Sequence, residues 1–200
     1  MPVIFRQVQE KDLINVVSVH QKCFPDYFLT TMGTKLLSKF YKEYYDENKE
    51  LFIVAENDDD IVGFVMGYLT GSQARASFER KNRLLLIIKV IGRCLIFDKE
   101  AILRVKKKIQ SFIKKQPTNT DQPKEATLLS ICMLPDYQGG KRAETLVRLF
   151  ENALQKMNKH IYTLSVKNDN IRGIRFYEKV GFSVQKRTEK NTTFIKELHF

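Results

Sequence analysis

The junction between a predicted strand and a predicted helix reads Leu134-Pro135-Asp136-Tyr137-Gln138-Gly139-Gly140-Lys141-Arg142-Ala143. It follows an apolar run at residues 126–134, which is too short for most helices and typical of a buried strand. Residues 143–156 then carry apolar side chains at helical spacing, so a helix begins directly after a glycine turn. Backbone N–H groups and the positive end of a helix dipole converge at such a junction. The sequence therefore predicts an anion site here, to which Lys141 and Arg142 add positive charge.

A glycine pair alone more often marks an ordinary turn before a basic helix than an anion site. A second segment makes the anion site the better interpretation. It reads Asn170-Ile171-Arg172-Gly173-Ile174-Arg175-Phe176-Tyr177-Glu178-Lys179-Val180-Gly181-Phe182. It follows a predicted strand at residues 161–166 and predicts a helix over 170–180. Two strand and helix units in succession are typical of a parallel strand pair with a helical crossover.

Outward from these units, the remaining patterns predict a mixed α/β domain. Gly63 and Gly67, inside one predicted strand, indicate a bulge or a close approach of another chain segment. The other elements are a strand at residues 3–8, helices at 9–23 and 34–45, a hairpin at 51–55 and 61–69, and a closing hairpin at 182–187 and 192–198.

Length and composition favour one compact domain over residues 1–200. The 200 residues are 43% hydrophobic and contain 9 Gly and 5 Pro, which is enough apolar material for a core. The longest strongly apolar stretch, residues 84–97, is interrupted by Lys89 and Arg93, whereas a membrane span needs about 20 apolar residues. The first residues do not have the pattern of a secretory signal. We therefore expect a cytoplasmic protein without a transmembrane segment.

The charge is concentrated in one segment. The chain has a net charge of +11, and residues 75–115 alone contain 13 Lys or Arg against 3 acids. Residues 78–115 read as two basic helices and 116–124 as a loop, so we interpret residues 75–123 as a basic helical insertion within the domain. Because the excess is local and holds few aromatic side chains, a nucleic-acid partner is not expected. Contact with an anionic membrane surface is the competing use of this segment, and it is less favoured.

The sequence lacks the patterns of several other kinds of site. Cys23, Cys94 and Cys132 are odd in number and far apart, which argues against a disulfide framework or a zinc site. The three histidines have no metal-ligand spacing, and no G-x-S-x-G motif occurs. We predict no metal and no serine hydrolase chemistry.

The two segments together resemble the motifs of the GCN5-related N-acetyltransferases (GNAT). The similarity lies in Pro-x-x-Gln-Gly-x-x-x-Ala at residues 135–143 and Asn-x-x-Gly-x-x-Phe-Tyr-Glu-Lys-x-Gly-Phe at residues 170–182. It extends to the element order outside the basic insertion. The resemblance implies a mostly antiparallel central sheet, flanked by helices, whose two central parallel strands splay apart. It also implies acetyl-CoA as the acyl-donor cosubstrate.

The resemblance further implies roles for individual residues. The main chain of Cys132, Met133 and Leu134 would bind the pantetheine arm, and one of their N–H groups would polarise the thioester carbonyl. Asn170 would also bind the pantetheine. Tyr177 would be the catalytic general acid for the departing thiolate. The pyrophosphate would be held by Gln138, Gly139, Gly140, Lys141, Arg142 and Ala143.

Some positions depart from the family pattern or have a structural alternative. Lys141 stands where the family usually has glycine. Its side chain either partly blocks the path of the pyrophosphate to the turn or provides an additional positive charge that binds the pyrophosphate. Gly173 replaces a usual alanine. Asn170 could simply cap the last helix, and Tyr177 could simply pack against Phe176 and Phe182. Glu56 and Asp136 are candidate bases, and neither is preferred.

The acceptor predicted from this resemblance is the amine of a small molecule. The aromatic stretch at residues 24–30 and the helix at 34–45 stand where the family builds its acceptor wall, and the long insertion is similar to members suspected of acetylating amino sugars. An amino sugar, free or nucleotide-linked, is thus one acceptor class, and a homodimer is compatible with the sequence. The alternative is a non-catalytic binding module on the same fold that uses its basic insertion on nucleic acid or a membrane surface.

Overall fold

The computed structural model describes residues 2–96 and 125–199, which build one seven-stranded sheet with helices on both faces. The strand order is β1-β2-β3-β4-β5-β7-β6, and within the described residues only the β4–β5 pair is parallel. This is the mixed, mostly antiparallel sheet that the resemblance implied. The strands are β1 (Ile4–Gln7), β2 (Phe52–Asn57), β3 (Asp60–Leu69), β4 (Ala126–Met133), β5 (Ile161–Lys167), β6 (Ser183–Arg187) and β7 (Asn191–Glu197).

The α-helices in the described part of the chain follow the predicted order, with one short addition before the second predicted helix. They are α1 (Leu13–Cys23), α2 (Phe28–Thr31), α3 (Thr34–Asn48), α4 (Ala74–Ile96), α5 (Arg142–Lys156) and α6 (Ile171–Lys179). The added helix, α2, is a single turn in the aromatic stretch after α1. Short turns of this kind lack the repeated apolar spacing by which a sequence pattern predicts a helix.

The two central strands splay apart, as the resemblance implied. β4 and β5 pair only at Ala126 with Tyr162 and at Thr127 with Thr163. Both strands continue for several residues beyond these pairs, β4 to Met133 and β5 to Lys167. A gap therefore opens between the carboxyl-terminal halves of the two strands.

A bulge in β4 sets which side chains face each layer. Met66 of β3 pairs with Ser130 and Gly67 pairs with Leu128, so Leu129 is an extra residue. An extra residue shifts the alternation of a strand by one position. Leu128 before the bulge and Met133 after it consequently contribute to the same core.

The helices cover the sheet in two separate cores. On one face α1 and α3 pack with β2 and β3, and the fully buried ring of Tyr41 lies 5.5 Å from that of Phe64 between ring centroids. On the other face α5 lies over β2, β3 and β4. The buried side chains of this second core include Leu146, Phe150 and Leu154 of α5, Tyr162 of β5 and Phe194 of β7.

The segment predicted as a basic insertion, residues 75–123, lies only in part within the described residues. α4 begins at Ala74, and its buried Phe78 packs edge-on against Phe40 at 5.4 Å between ring centroids. The second predicted basic helix and the loop at residues 116–124 fall largely or wholly within residues 97–124, outside the described ranges. Across residues 2–96 and 125–199, no helix is both long and apolar enough to cross a membrane.

Gly63 and Gly67 of β3 have the close contacts that the sequence predicts for them. A Cβ atom on Gly67 would lie 2.5 Å from the Phe150 ring and 2.5 Å from the Thr127 carbonyl oxygen. A Cβ on Gly63 would lie 2.2 Å from the Met133 sulfur. Glycine at these positions lets α5 and β4 approach β3 closely.

We predict that Gly67→Ala lowers the free energy of unfolding by about 2 kcal/mol or more, because a buried methyl group must displace Phe150 or the backbone. Chemical denaturation measures the loss. Gly71→Ala is the matched control, since Gly71 has a φ of +93° and nothing within 4 Å of an added Cβ. The control should lose only about 1 kcal/mol of backbone strain. An equal loss in both variants would contradict close packing at Gly67.

Candidate functional site

The gap between β4 and β5 exposes backbone hydrogen-bonding groups of β4. The Leu134 N–H donates to the Val62 carbonyl at 2.8 Å, so Leu134 pairs with β3. Backbone groups alternate in direction along an antiparallel strand. Cys132 consequently also faces β3, whereas Ile131 and Met133 direct their N–H and C=O groups toward the gap. Ile131 was not among the predicted residues.

Cys132, Met133 and Leu134, the residues predicted to bind the pantetheine at the end of β4, therefore differ in which backbone groups they offer a ligand. The Leu134 carbonyl accepts the Tyr137 N–H at 2.9 Å, so both backbone groups of Leu134 are engaged. The Met133 carbonyl accepts the Gln138 side-chain amide at 3.1 Å and lies 3.5 Å from the Cys23 sulfur. The Cys132 side chain packs on the core formed with α1 and α3. Of the three, Met133 has its main chain directed into the gap.

The turn before α5 adopts a left-handed backbone. Gly139, Gly140 and Lys141 have φ angles of +88°, +55° and +59°. The Arg142 N–H donates to the Gly139 carbonyl at 3.2 Å, while the N–H groups of Gly139 and Gly140 donate to no backbone carbonyl in the described residues. Successive amides in such a turn, followed by a helix of 15 residues, form a concave donor site for an anion. Lys141 is the N-cap residue of α5 and is exposed.

Asn170 caps the last helix, and Gly173 leaves space for it. The Asn170 Oδ1 atom accepts the Gly173 N–H at 2.9 Å, which is an N-cap hydrogen bond. A Cβ on Gly173 would lie 2.6 Å from the Asn170 Nδ2 atom. Glycine in place of alanine at position 173 therefore makes room for the Asn170 side chain in its cap position, which the sequence did not indicate. Because only Oδ1 is used in the cap, the Nδ2 hydrogens remain for a ligand.

Tyr177 lies on α6 against the second core. Its ring centroid is 5.6 Å from that of Phe182 and 5.9 Å from that of Phe194. Burial raises the pKa of Tyr177, and the neighbouring Tyr27 and Cys132 groups raise it further. The phenol is therefore protonated at neutral pH.

The turn after α1 and the end of β5 meet beside Tyr177. The Lys167 ammonium lies 4.4 Å from the centroid of the Tyr27 ring, and the Phe24 ring packs against Tyr27 at 5.0 Å between centroids, tilted by 55°. Burial and the nearby Asp169 carboxylate raise the pKa of Tyr27. Asn168 joins this region to the β6–β7 hairpin through hydrogen bonds to the Thr188 and Glu189 carbonyls at 2.9 and 3.1 Å. Aromatic, cationic and anionic groups thus surround one side of the gap.

The sequence-family comparison agrees with this geometry. Residues 13–182 match the family model described as "Acetyltransferase (GNAT) family". The chain belongs to this family. It is an acyltransferase that uses acetyl-CoA as its cosubstrate, as predicted in preference to a non-catalytic binding module. Among curated proteins, no sequence relative was found.

Solved structures share the fold at low sequence identity. A protein of Pyrococcus horikoshii OT3, PH1933, is 14% identical with a TM-score of 0.65, and the alignment covers 100% of both chains. The PaiA N-acetyltransferase of Thermoplasma acidophilum, solved in complex with coenzyme A, is 17% identical with a TM-score of 0.56 over 98% of this chain and 99% of that chain. Arabidopsis thaliana Naa50, solved with the bisubstrate analogue CoA-Ac-MVNAL, is 15% identical with a TM-score of 0.59 over 99% and 100%.

The structure does not single out either candidate base, Glu56 or Asp136, as a catalytic group. Glu56 on β2 is hydrogen-bonded by the Arg6 Nε atom at 2.8 Å, in a cluster that also holds Asp12. Two strands, β3 and β4, separate β2 from β5. Asp136 is exposed in a single 3-10 turn after β4. Neither carboxylate has a neighbour in the structure that marks it as a base.

We predict that Lys141→Gly leaves the free energy of unfolding unchanged or raises it by up to about 1 kcal/mol, because glycine removes the left-handed strain of a side-chain-bearing residue. Arg148→Gly on the exposed face of the same helix is the control and should lose about 1 kcal/mol. Thermal denaturation compares the two variants. Equal losses would mean that the Lys141 backbone is not strained.

Proposed function

We propose that the acetyl-CoA arm binds in the gap between β4 and β5. The observation that carries this proposal is that the two strands pair at only two positions, which leaves the main-chain groups of Ile131 and Met133 without a partner strand. A pantetheine arm has amide groups that can complete such a strand edge. The Ile131 and Met133 N–H groups are then the candidates to polarise the thioester carbonyl, and the Gln138 amide must move if the Met133 carbonyl is to accept from the ligand.

The pyrophosphate then lies at the turn before α5. Gln138 to Ala143 would hold it through the amides of Gly139 and Gly140, the amino-terminal end of α5 and the charges of Lys141 and Arg142. Asn170 would donate through Nδ2 to the pantetheine while Oδ1 caps α6. This arrangement supports both a structural and a cofactor role for Asn170.

We predict that Lys141→Gly and Lys141→Ala both weaken acetyl-CoA binding and reduce its dependence on salt, because each removes one cation that faces the pyrophosphate. Isothermal titration calorimetry at several salt concentrations measures both effects. Lys156→Ala, at the far end of α5, is the charge-matched control and should change neither. Tighter binding in both Lys141 variants would identify Lys141 as an obstruction instead.

Tyr177 would act as the general acid. Burial raises the pKa of its hydroxyl and keeps it protonated, and the family resemblance would set this hydroxyl near the thioester sulfur. Proton donation is needed only when the thiolate departs. The hydroxyl therefore contributes to the chemical step and little to cofactor binding.

We predict that Tyr177→Phe lowers kcat about 10²-fold or more and leaves the dissociation constant of acetyl-CoA nearly unchanged. Tyr45→Phe on α3 is the control, and its kcat should match that of the unmodified protein. Rapid-quench kinetics establishes that chemistry limits the rate. Unchanged turnover under that condition would exclude Tyr177 as the acid.

The acceptor that the geometry supports best is the amine of a small molecule, with amino sugars as the leading class. Tyr27 and Phe24 provide an aromatic surface for a sugar ring, and Lys167 places a cation beside it for a phosphate or a carboxylate. Exposed basic residues of the closing hairpin, including Lys186, Arg187 and Lys190, add to the positive field. A nucleotide-linked amino sugar would use both features.

A peptide amino terminus is the second candidate acceptor, because solved structures with the same fold include Naa50 bound to the bisubstrate analogue CoA-Ac-MVNAL. Release of free CoA with a panel of acceptors separates the two. The panel contains a uridine-diphosphate amino sugar, the free hexosamine and a peptide that begins with Met. We expect turnover with an amino sugar, and turnover with the peptide alone would overturn the small-molecule assignment.

A further inference from the structure

Four exposed apolar side chains lie close together in the middle of α4. Leu84 and Ile88 are 70% and 56% exposed, and Leu85 and Ile87 between them are each 39% exposed. These four residues form the α4 apolar patch. In the rest of the described chain, the large apolar side chains that are exposed are separated from one another in sequence. Single exposed apolar residues are normal on a protein surface, whereas a contiguous group marks an interaction site.

The α4 apolar patch lies where the helix leaves the core of the domain. Among residues 74–88, those that are buried are Ala74, Phe78 and Asn82, which recur at every fourth position. Leu85 follows on the same side of the helix and is nevertheless exposed, and Leu86 packs only partly on the core. The core therefore covers one side of α4 as far as Asn82 and leaves the patch exposed.

Two arginines precede the α4 apolar patch on the same side of the helix. Arg80 and Arg83 stand four residues before Leu84 and Ile87, and side chains at this spacing are neighbours on a helix surface. Both arginines are exposed, and neither forms an ion pair with a carboxylate among the described residues. Residues 74–88 contain four basic side chains and one acidic side chain. The patch is therefore bordered by positive charge that no carboxylate pairs with in the described part of the chain.

Positive charge beside aliphatic side chains distinguishes between the partners that could cover this surface. A second copy of the chain would bring the same arginines against one another, because a symmetric dimer uses one surface twice. Protein interfaces are enriched in aromatic side chains and Met, whereas the patch consists of Leu and Ile. An anionic bilayer matches both properties, since its phosphates attract arginine and its acyl boundary accepts aliphatic side chains.

We propose that α4 binds the surface of an anionic phospholipid bilayer through this patch. Leu84 and Ile88 enter the boundary between headgroups and acyl chains, and Arg80 and Arg83 contact the lipid phosphates. The contact is interfacial, since no helix in the described ranges is long and apolar enough to cross a membrane. Membrane contact is the less favoured use of this segment from the sequence alone, because the sequence does not reveal which apolar side chains of α4 the core leaves exposed.

Flotation with lipid vesicles tests the proposal on the whole chain. Vesicles of phosphatidylcholine and phosphatidylglycerol in equal parts are compared with vesicles of phosphatidylcholine alone, at physiological salt. We expect the protein to float with the mixed vesicles and to stay in solution with the neutral ones, because arginine is attracted to anionic lipid. Failure to float with the mixed vesicles, or equal flotation with both kinds, rules the proposal out. Either failure leaves the proposed acetyl-CoA site between β4 and β5 unaffected.

Ile88→Asp tests whether the apolar side chains enter the bilayer. Ile171→Asp on α6 is the matched control, because Ile171 is 54% exposed and α6 packs on the other core of the sheet. We expect Ile88→Asp to lower the partition coefficient for mixed vesicles about tenfold or more, through lost apolar burial and repulsion by lipid phosphate. The control should be unchanged. Equal weakening by both substitutions contradicts insertion of the patch.

Substitution of both arginines by glutamine tests the contribution of charge. The control is the double variant Arg172→Gln and Arg175→Gln on α6, which removes two exposed arginines at the same three-residue spacing. We expect Arg80→Gln with Arg83→Gln to bind mixed vesicles more weakly and with a smaller dependence on salt. Equal changes in the two double variants would indicate attraction by net charge alone and would contradict a contact made by α4.

Light scattering of the unmodified protein and of Ile88→Asp distinguishes the bilayer from a second copy of the chain. We expect the two proteins to have the same molar mass in the absence of lipid. A dimer that Ile88→Asp converts to a monomer would assign the patch to contact between copies of this chain and would overturn the proposal. Ile88 is exposed, so its substitution should leave the fold intact, which circular dichroism checks.

Discussion

The divergence of β4 from β5 determines where the sheet can accept a ligand. Two adjacent strands that separate leave backbone donors and acceptors without partners, and a buried backbone group without a hydrogen bond costs free energy comparable to a lost bond. In this chain the pairing stops after Thr127 and Thr163. The strands stay apart because each is held on its other side, β4 by β3 and β5 by β7. The unpaired edge is thereby preserved for a ligand.

The elements around the gap fix its geometry. The bulge at Leu129 aligns Leu128 and Met133 on the α5 side, and Gly67 lets Phe150 of α5 approach β3 closely. On the other side of the sheet, α1 ends at Cys23 and brings its sulfur to the Met133 carbonyl. A ligand in the gap therefore meets the unpaired edge of β4, the cationic turn before α5 and the carboxyl-terminal end of α1.

Much of this arrangement could be predicted from the sequence. Apolar runs and helical spacing indicate the strand before Pro135 and the helices that follow, and the motifs at residues 135–143 and 170–182 indicate the family. Other features depend on contacts between distant segments. The direction of Ile131 follows from its register with Val65 and from the bulge, which no sequence pattern marks. The contact of the Cys23 sulfur with the Met133 carbonyl joins residues 110 positions apart, and the space that Gly173 leaves for Asn170 depends on the cap geometry.

Amide hydrogen exchange by NMR resolves the amides along β4 one by one, so it distinguishes those that face the gap from those paired with β3. We expect the Ile131 and Met133 amides to exchange rapidly in the free protein and to become protected when acetyl-CoA is added to saturation. The Cys132 and Leu134 amides, which are paired with β3, should exchange slowly in both states. Protection of Ile131 and Met133 that does not change at saturating acetyl-CoA would contradict a cofactor site between β4 and β5.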